Sequence, residues 1–123
     1  MRILLSTFSA EGHGSYGIIT RELWRRLRDL NPKWTVHQHG WVHESVEPVE
    51  WPITPTLKAM GKDGKMANRV DDAYGQITFE KMLTDFKPDV VWTLSDFYMS
   101  HYMGKFRSKY RFKLIKHCPV DGT

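Results

Sequence analysis

The chain has a single cysteine, Cys118, so it can form no internal disulfide, and this usage suits a reducing compartment. Long apolar runs are missing too. The stretch Met1–Thr7 is too short for the core of a signal peptide, and no segment is long enough to cross a bilayer. Low-complexity tracts and internal repeats are absent. No Gly-Lys-Ser or Gly-Lys-Thr occurs, which excludes a P-loop. Together these absences point to a cytoplasmic protein. What is present is ordinary for a globular chain: 123 residues, 41% hydrophobic and 26% charged, enough for one domain with a modest core. The net charge of +4 permits an anionic ligand or an acidic membrane surface without requiring either. Five tryptophans are many for this length, and core packing is their commoner use, ahead of lining a cleft or an interface.

The organising stretch is the first seventeen residues. A buried strand, Arg2–Thr7, runs into the glycine turn Gly12-His13-Gly14-Ser15-Tyr16-Gly17. A helix follows from Ser15, its expected N-cap, to about Leu30, with Asn31-Pro32 as the stop. Helical spacing puts Ile19, Leu23, Leu27 and Leu30 toward the sheet, and Arg21, Arg25 and Arg28 away from it. Trp34 to about His39 is a second strand. Residues 40–64 read as a loop with a short edge strand near Val49–Ile53.

Lys65–Phe86 reads as a helix with two apolar faces: Met66, Val70, Ala73 and Ile77 on one, Phe79, Met82, Leu83 and Phe86 on the other. Burial on both sides, with the Trp-rich loop as one cover, is favoured over a break near Gly75. Val90–Leu94 is a buried strand. The loop Ser95-Asp96-Phe97 leads to a helix, Tyr98 to about Lys109, and Phe112–His117 is the last strand. This order implies one α/β domain over residues 1–123: a Rossmann-like open parallel sheet of four or five strands, helices on both faces and strand one central.

Gly12, Gly14 and Gly17 have the spacing of a dinucleotide fingerprint, correctly flanked by strand and helix. NAD or FAD would also want an acid at the end of strand two, to hold the ribose hydroxyls. That place holds His37-Gln38-His39-Gly40, and the first acid beyond is Glu44. The turn is therefore read as a phosphate-approaching loop of another kind, ahead of a turn serving chain geometry alone. His37 and His39 would share a strand face, with His43 nearby, but nothing completes a metal set, and solvated or core-satisfied histidines are favoured.

Lys105 to Lys116 alternates basic and aromatic residues. It reads first as favourable cations at a helix C-terminus and a lysine-guarded strand edge, then as a nucleic-acid or membrane contact. Asp96 and His117 each lie at or just beyond the C-terminal end of a parallel strand. The glycine turn opens onto the same edge, where an open α/β sheet forms its ligand crevice.

With those segments in view, the chain resembles the N-terminal, acceptor-side domain of family-4-type glycosyltransferases of the GT-B fold. The resemblance rests on Ser15-Tyr16-Gly17-Ile18-Ile19-Thr20-Arg21-Glu22-Leu23, on Lys87-Pro88-Asp89-Val90-Val91-Trp92, and on His117-Cys118-Pro119-Val120-Asp121-Gly122. It implies transfer of a sugar from a nucleotide-sugar donor to an acceptor, with no metal or cofactor at the site. It also implies that Gly12, Gly14 and Gly17 form the loop meeting donor phosphate and acceptor. His117 would position the reacting sugar, and Asp96 and Asp121 would contact substrate. The family's C-terminal domain, with its nucleotide-binding helix and paired-glutamate motif, is not in these residues. Transfer is therefore expected only when such a domain, in trans or within a homo-oligomer, completes the site. A flavodoxin-like small-ligand or regulatory module is the alternative from another class.

Overall fold

The computed structural model describes residues 1–10, 14–42 and 51–118. Its strands are β1 (Arg2–Phe8), β2 (Thr35–Trp41), β3 (Ile53–Pro55), β4 (Lys58–Met60), β5 (Met66–Asn68), β6 (Val90–Leu94) and β7 (Lys113–His117). Its helices are α1 (Ser15–Leu30), α2 (Phe79–Phe86) and the single turn α3 (Phe97–Ser100). Five strands form a parallel sheet in the order β3-β2-β1-β6-β7, and β4 and β5 form a separate antiparallel hairpin. The expected Rossmann-like sheet with strand one inside it is present. None of the described helices is long and apolar enough to cross a membrane.

Alternation along the strands builds a core on each face. Ile3, Leu5, Val36, Trp92 and Leu94 pack on one side with Trp24 of α1 and with Trp51. Leu4, Trp41 and Val91 pack on the other with Phe79, Met82, Leu83 and Phe86 of α2. β1 is central because it can be buried on both faces: Ile3, Leu4 and Leu5 are at most 1% exposed. The stripe of α1 that meets the sheet is Gly17, Thr20 and Trp24, with Leu23 and Leu27 half-buried. Ile19 and Leu30 are exposed, which rotates the expected face. The helix N-cap is Gly14 rather than Ser15, and it makes no side-chain cap. At the other end, Asn31 Nδ2 donates to the Leu27 carbonyl at 2.9 Å and closes the last turn.

The helix expected over Lys65–Phe86 is confined to Phe79–Phe86, whose buried face is the predicted Phe79, Met82, Leu83 and Phe86. Upstream, β5 is followed by a 3-10 turn at Val70–Asp72, and Gly75 takes a left-handed φ of 76°. Met66, Val70 and Ile77 are exposed, so that apolar face has no cover. Trp51 instead packs in the α1-side core, with the Arg28 guanidinium 5.7 Å from its ring centroid.

Asp72 supplies the physical reason for the break. Its Oδ1 accepts the amides of Ile77 (2.8 Å) and Thr78 (3.1 Å), while Oδ2 accepts the Leu57 amide at 2.7 Å and the Thr78 hydroxyl at 3.0 Å. The carboxylate thus caps the N-terminus of α2 from outside the helix, where four amides lack intrahelical acceptors. The helix expected from Tyr98 to Lys109 is likewise shorter: α3 gives way to a 3-10 segment, His101–Ser108, which contains the weak helix former Gly104.

The Thr78 hydroxyl proton is committed to Asp72, so the His39 Nε2–H must donate to Thr78 Oγ1, 2.6 Å away. His39 Nδ1 is then an acceptor and takes the Ser6 hydroxyl at 3.0 Å, while Trp41 Nε1–H donates to Ser6 Oγ at 3.2 Å. Each group in this chain is satisfied by a neutral imidazole. Burial holds the His39 pKa down to about 4, against the opposing pull of the Asp72 carboxylate.

Two outcomes follow for stability. Between the ordinary pKa of 6.5 and the folded value of about 4, the unfolded chain binds a proton at His39 that the folded chain refuses. Stability therefore falls as pH falls through that window, with a His39 share approaching ~3 kcal/mol. Urea midpoints from pH 7 to pH 4 should drop less steeply in His39→Gln than in wild type; parallel slopes would refute the assignment. Gly75→Ala should destabilise by roughly 3 kcal/mol or more, since it combines a strained φ with overpacking. A Cβ at Gly75 would overlap the His39 ring and stand 3.0 Å from Trp41 Nε1. Thermal unfolding within a degree of wild type would contradict this.

Candidate functional site

β1, β2 and β3 step one way across the sheet, and β6 and β7 lie on the other side of β1. The winding direction therefore reverses between β1 and β6. Connections from these two strands leave toward opposite faces, and a crevice opens outside their C-terminal ends. Two residues meet there. Tyr16, in the first turn of α1, donates its hydroxyl to Asp96 Oδ1 at 2.8 Å, joining the start of α1 to the β6–α3 loop. Ring contacts extend from this bond. Phe8 lies 5.7 Å from Tyr16, 5.4 Å from Trp41 and 6.3 Å from Tyr74, and Tyr74 lies 6.2 Å from Tyr98. The Tyr98 phenol is held above its ordinary pKa first by the Tyr74 hydroxyl beside it, with burial and the Asp96 charge adding to the effect. Tyr98 and Phe97 are mostly exposed at the rim, and the Lys116 ammonium lies 4.9 Å from the Phe97 ring centroid.

The floor of the crevice is braced by β2. Gln38 Nε2 donates to the Phe8 carbonyl at 2.9 Å, and its Oε1 accepts the Trp51 indole at 3.1 Å and the Ala10 amide at 3.4 Å. The buried glutamine thus fastens the chain where it leaves β1. Thr7 Oγ1 donates to the Leu94 carbonyl at 2.6 Å and links β1 to β6 at the same level.

Of the residues singled out from sequence, Gly14 is exposed at the start of α1, and a Cβ there would meet no atom of the described residues within 4 Å. Gly17 is buried in the first turn. Asp96 is half-buried at the start of α3. His117 ends β7 with its side chain exposed; its carbonyl accepts the Ser95 amide at 3.2 Å. It stands on the crevice edge, two strand spacings, roughly 10 Å, from β1. Among the described residues no side-chain bond joins it to Asp96. Gly12, Asp121 and His43 lie outside the described residues.

His37 and His39 do share a face. His37 Nε2 is 2.7 Å from Thr54 Oγ1, and His39 is shut in the core. Among the described residues no group of three or more His, Cys, Asp or Glu side chains could hold a metal ion. Ser6, His39 and Asp72 resemble a nucleophilic set by residue type, but all three are fully buried, and Thr78 stands between His39 and Asp72.

The members that sequence reasoning gave no role are Tyr16, Tyr74 and Tyr98. Tyr16 carried a usable signal, a hydroxyl-bearing aromatic inside the glycine spacing. Tyr16→Phe should remove this link between the start of α1 and the β6–α3 loop. It is expected to cost about 1 kcal/mol of stability, the net worth of one such bond, and to speed amide exchange around Asp96–Met99. Unchanged exchange there would show that the bond does not hold the loop.

The chain matches no family model, no curated protein and no solved structure.

Proposed function

We propose that this domain is the acceptor-side half of a GT-B-fold glycosyltransferase, binding a sugar in the crevice over β1 and β6. The observation that carries the reading is the Tyr16–Asp96 bond at the winding reversal, set among exposed and half-buried aromatic rings. A sugar ring offers apolar C–H faces and a rim of hydroxyls. Aromatic rings suit the faces, and a carboxylate accepts from hydroxyls. Asp96 is the acceptor in this reading, with Tyr98 and Phe97 as packing surfaces. The open space at Gly14 lets donor phosphate approach the N-terminus of α1. His117, exposed on the same edge, would orient the reacting sugar once a donor-binding domain closes over it.

Strand order supports this reading over the flavodoxin-like alternative at the level of topology. Numbered within the sheet, the order is 3-2-1-4-5, that of the Rossmann fold, whereas flavodoxin-like modules have 2-1-3-4-5.

Titration of the isotope-labelled chain with a panel of saccharides and nucleotide sugars tests the proposal. Amide shifts should gather at Gly14–Gly17 and Asp96–Tyr98. Asp96→Asn should weaken saccharide binding tenfold or more, the loss of a charge-assisted bond worth about 1.5 kcal/mol. A crevice that ignores every sugar and takes up a flavin instead would overturn it.

A further inference from the structure

The opposite edge of the sheet has a different chemistry. Two grooves meet beneath the N-terminal ends of β6 and β7. One, of about 340 Å³, is lined by Thr84, Lys87, Asp89, Lys109, Tyr110 and Arg111 among others. The second adds Arg107 and Lys113 and shares Asp89, Tyr110 and Arg111 with the first. Half of the basic-aromatic stretch is thus gathered beside Lys87, which arrives from the end of α2. Lys109 pairs with Glu80 at 3.1 Å. Lys87, Arg107, Arg111 and Lys113 have no carboxylate partner among the described residues. Lys87 also holds a left-handed φ of 53°, where glycine would be unstrained, so a cation sits there at a local cost.

We propose that these paired grooves bind single-stranded RNA. The cations are spread along two grooves instead of converging on one point, which fits several spaced phosphates better than one. Tyr110 lies between the grooves, half-buried, with its hydroxyl 3.2 Å from Thr84 Oγ1 and the Lys109 ammonium 5.5 Å from its ring centroid. That is a stacking platform beside a charged track. Among the described residues, Asp89 is the one acid lining both grooves. It would repel phosphate at that point and accept a ribose 2′-hydroxyl, which selects RNA over DNA. A bilayer fits less well: among the described residues, none of the large exposed apolar side chains lines either groove.

Fluorescence anisotropy of a labelled twelve-nucleotide RNA with the full chain tests this. Neutralising three or four phosphates gives a slope of roughly −2 to −3 in log K against log salt, so affinity should rise roughly thirtyfold from 200 to 50 mM salt. Lys87→Glu with Arg111→Glu should weaken binding more than tenfold and flatten the slope. Lys87→Ser with Arg111→Ser serves if charge reversal unfolds the chain. Tyr110→Leu should weaken single-stranded RNA tenfold and leave duplex RNA unchanged. Arg25→Glu with Arg26→Glu, on exposed α1, should have little effect. Equal losses from the α1 pair would reduce the effect to net charge and overturn the proposal. So would duplex or single-stranded DNA binding as tight as single-stranded RNA, or binding to phosphatidylserine vesicles with none to RNA.

Discussion

The fold turns on a buried relay of hydrogen bonds from Asp72 through Thr78, His39 and Ser6 to Trp41. A carboxylate and an imidazole without solvent access are costly unless every donor finds an acceptor. Here each one does, and the condition is strict. Only the Nε2–H tautomer lets Thr78 and Ser6 donate in a consistent direction, so one added proton on His39 removes the acceptor that Ser6 uses in this relay. The relay ties together pieces distant in sequence: the middle of β1, the end of β2, the residue before α2 and, through the Leu57 amide, the start of the hairpin.

Gln38 does the matching work on the other face. Neighbouring strand residues point to opposite sides of a sheet. Gln38 therefore reaches Phe8, Ala10 and Trp51 toward the α1-side core, while His39 reaches Ser6 and Thr78 toward α2. The two side chains brace both walls of the C-terminal edge from a single strand. The dinucleotide-binding reading looked to this end of β2 for an acid. Instead the end of β2 is given over to structural polar groups, and the crevice's described carboxylate, Asp96, comes from the β6 side.

Much of the sheet was legible in sequence because buried parallel strands are near-continuous apolar runs. Ile3-Leu4-Leu5 and Val90-Val91-Trp92 could be little else, and Asn31-Pro32 marks the end of α1 without tertiary help. Residues 65–78 were not legible. Met66, Val70, Ala73 and Ile77 recur at helical spacing, yet periodicity cannot reveal whether anything covers them. What decides that segment is Asp72, whose carboxylate takes hydrogen bonds from Leu57, behind it at the start of the hairpin, and from Ile77 and Thr78 ahead of it, a set that apolar periodicity does not register. Asp96 and His117 could be placed on one edge because strand polarity alone does that. Tyr16 could not be paired with Asp96, since that bond spans eighty positions of sequence.

Parallel strands give the sheet two unlike ends, and the charge follows. At the C-terminal end stand an acid and aromatic rings; at the other, cations cluster where helices terminate. Part of that cluster has a local cause. Lys87 caps α2 and Lys109 closes the 3-10 segment, where a helix dipole favours positive charge. The dipole effect fades within the last turn of a helix, however, and Arg111 and Lys113 lie beyond it, at the approach to and start of β7. No helix end calls for them, and β7 as an edge strand could be guarded by one lysine. The surplus of cations over what helix termini and strand edge require is the observation on which the proposed RNA surface at this end of the sheet rests.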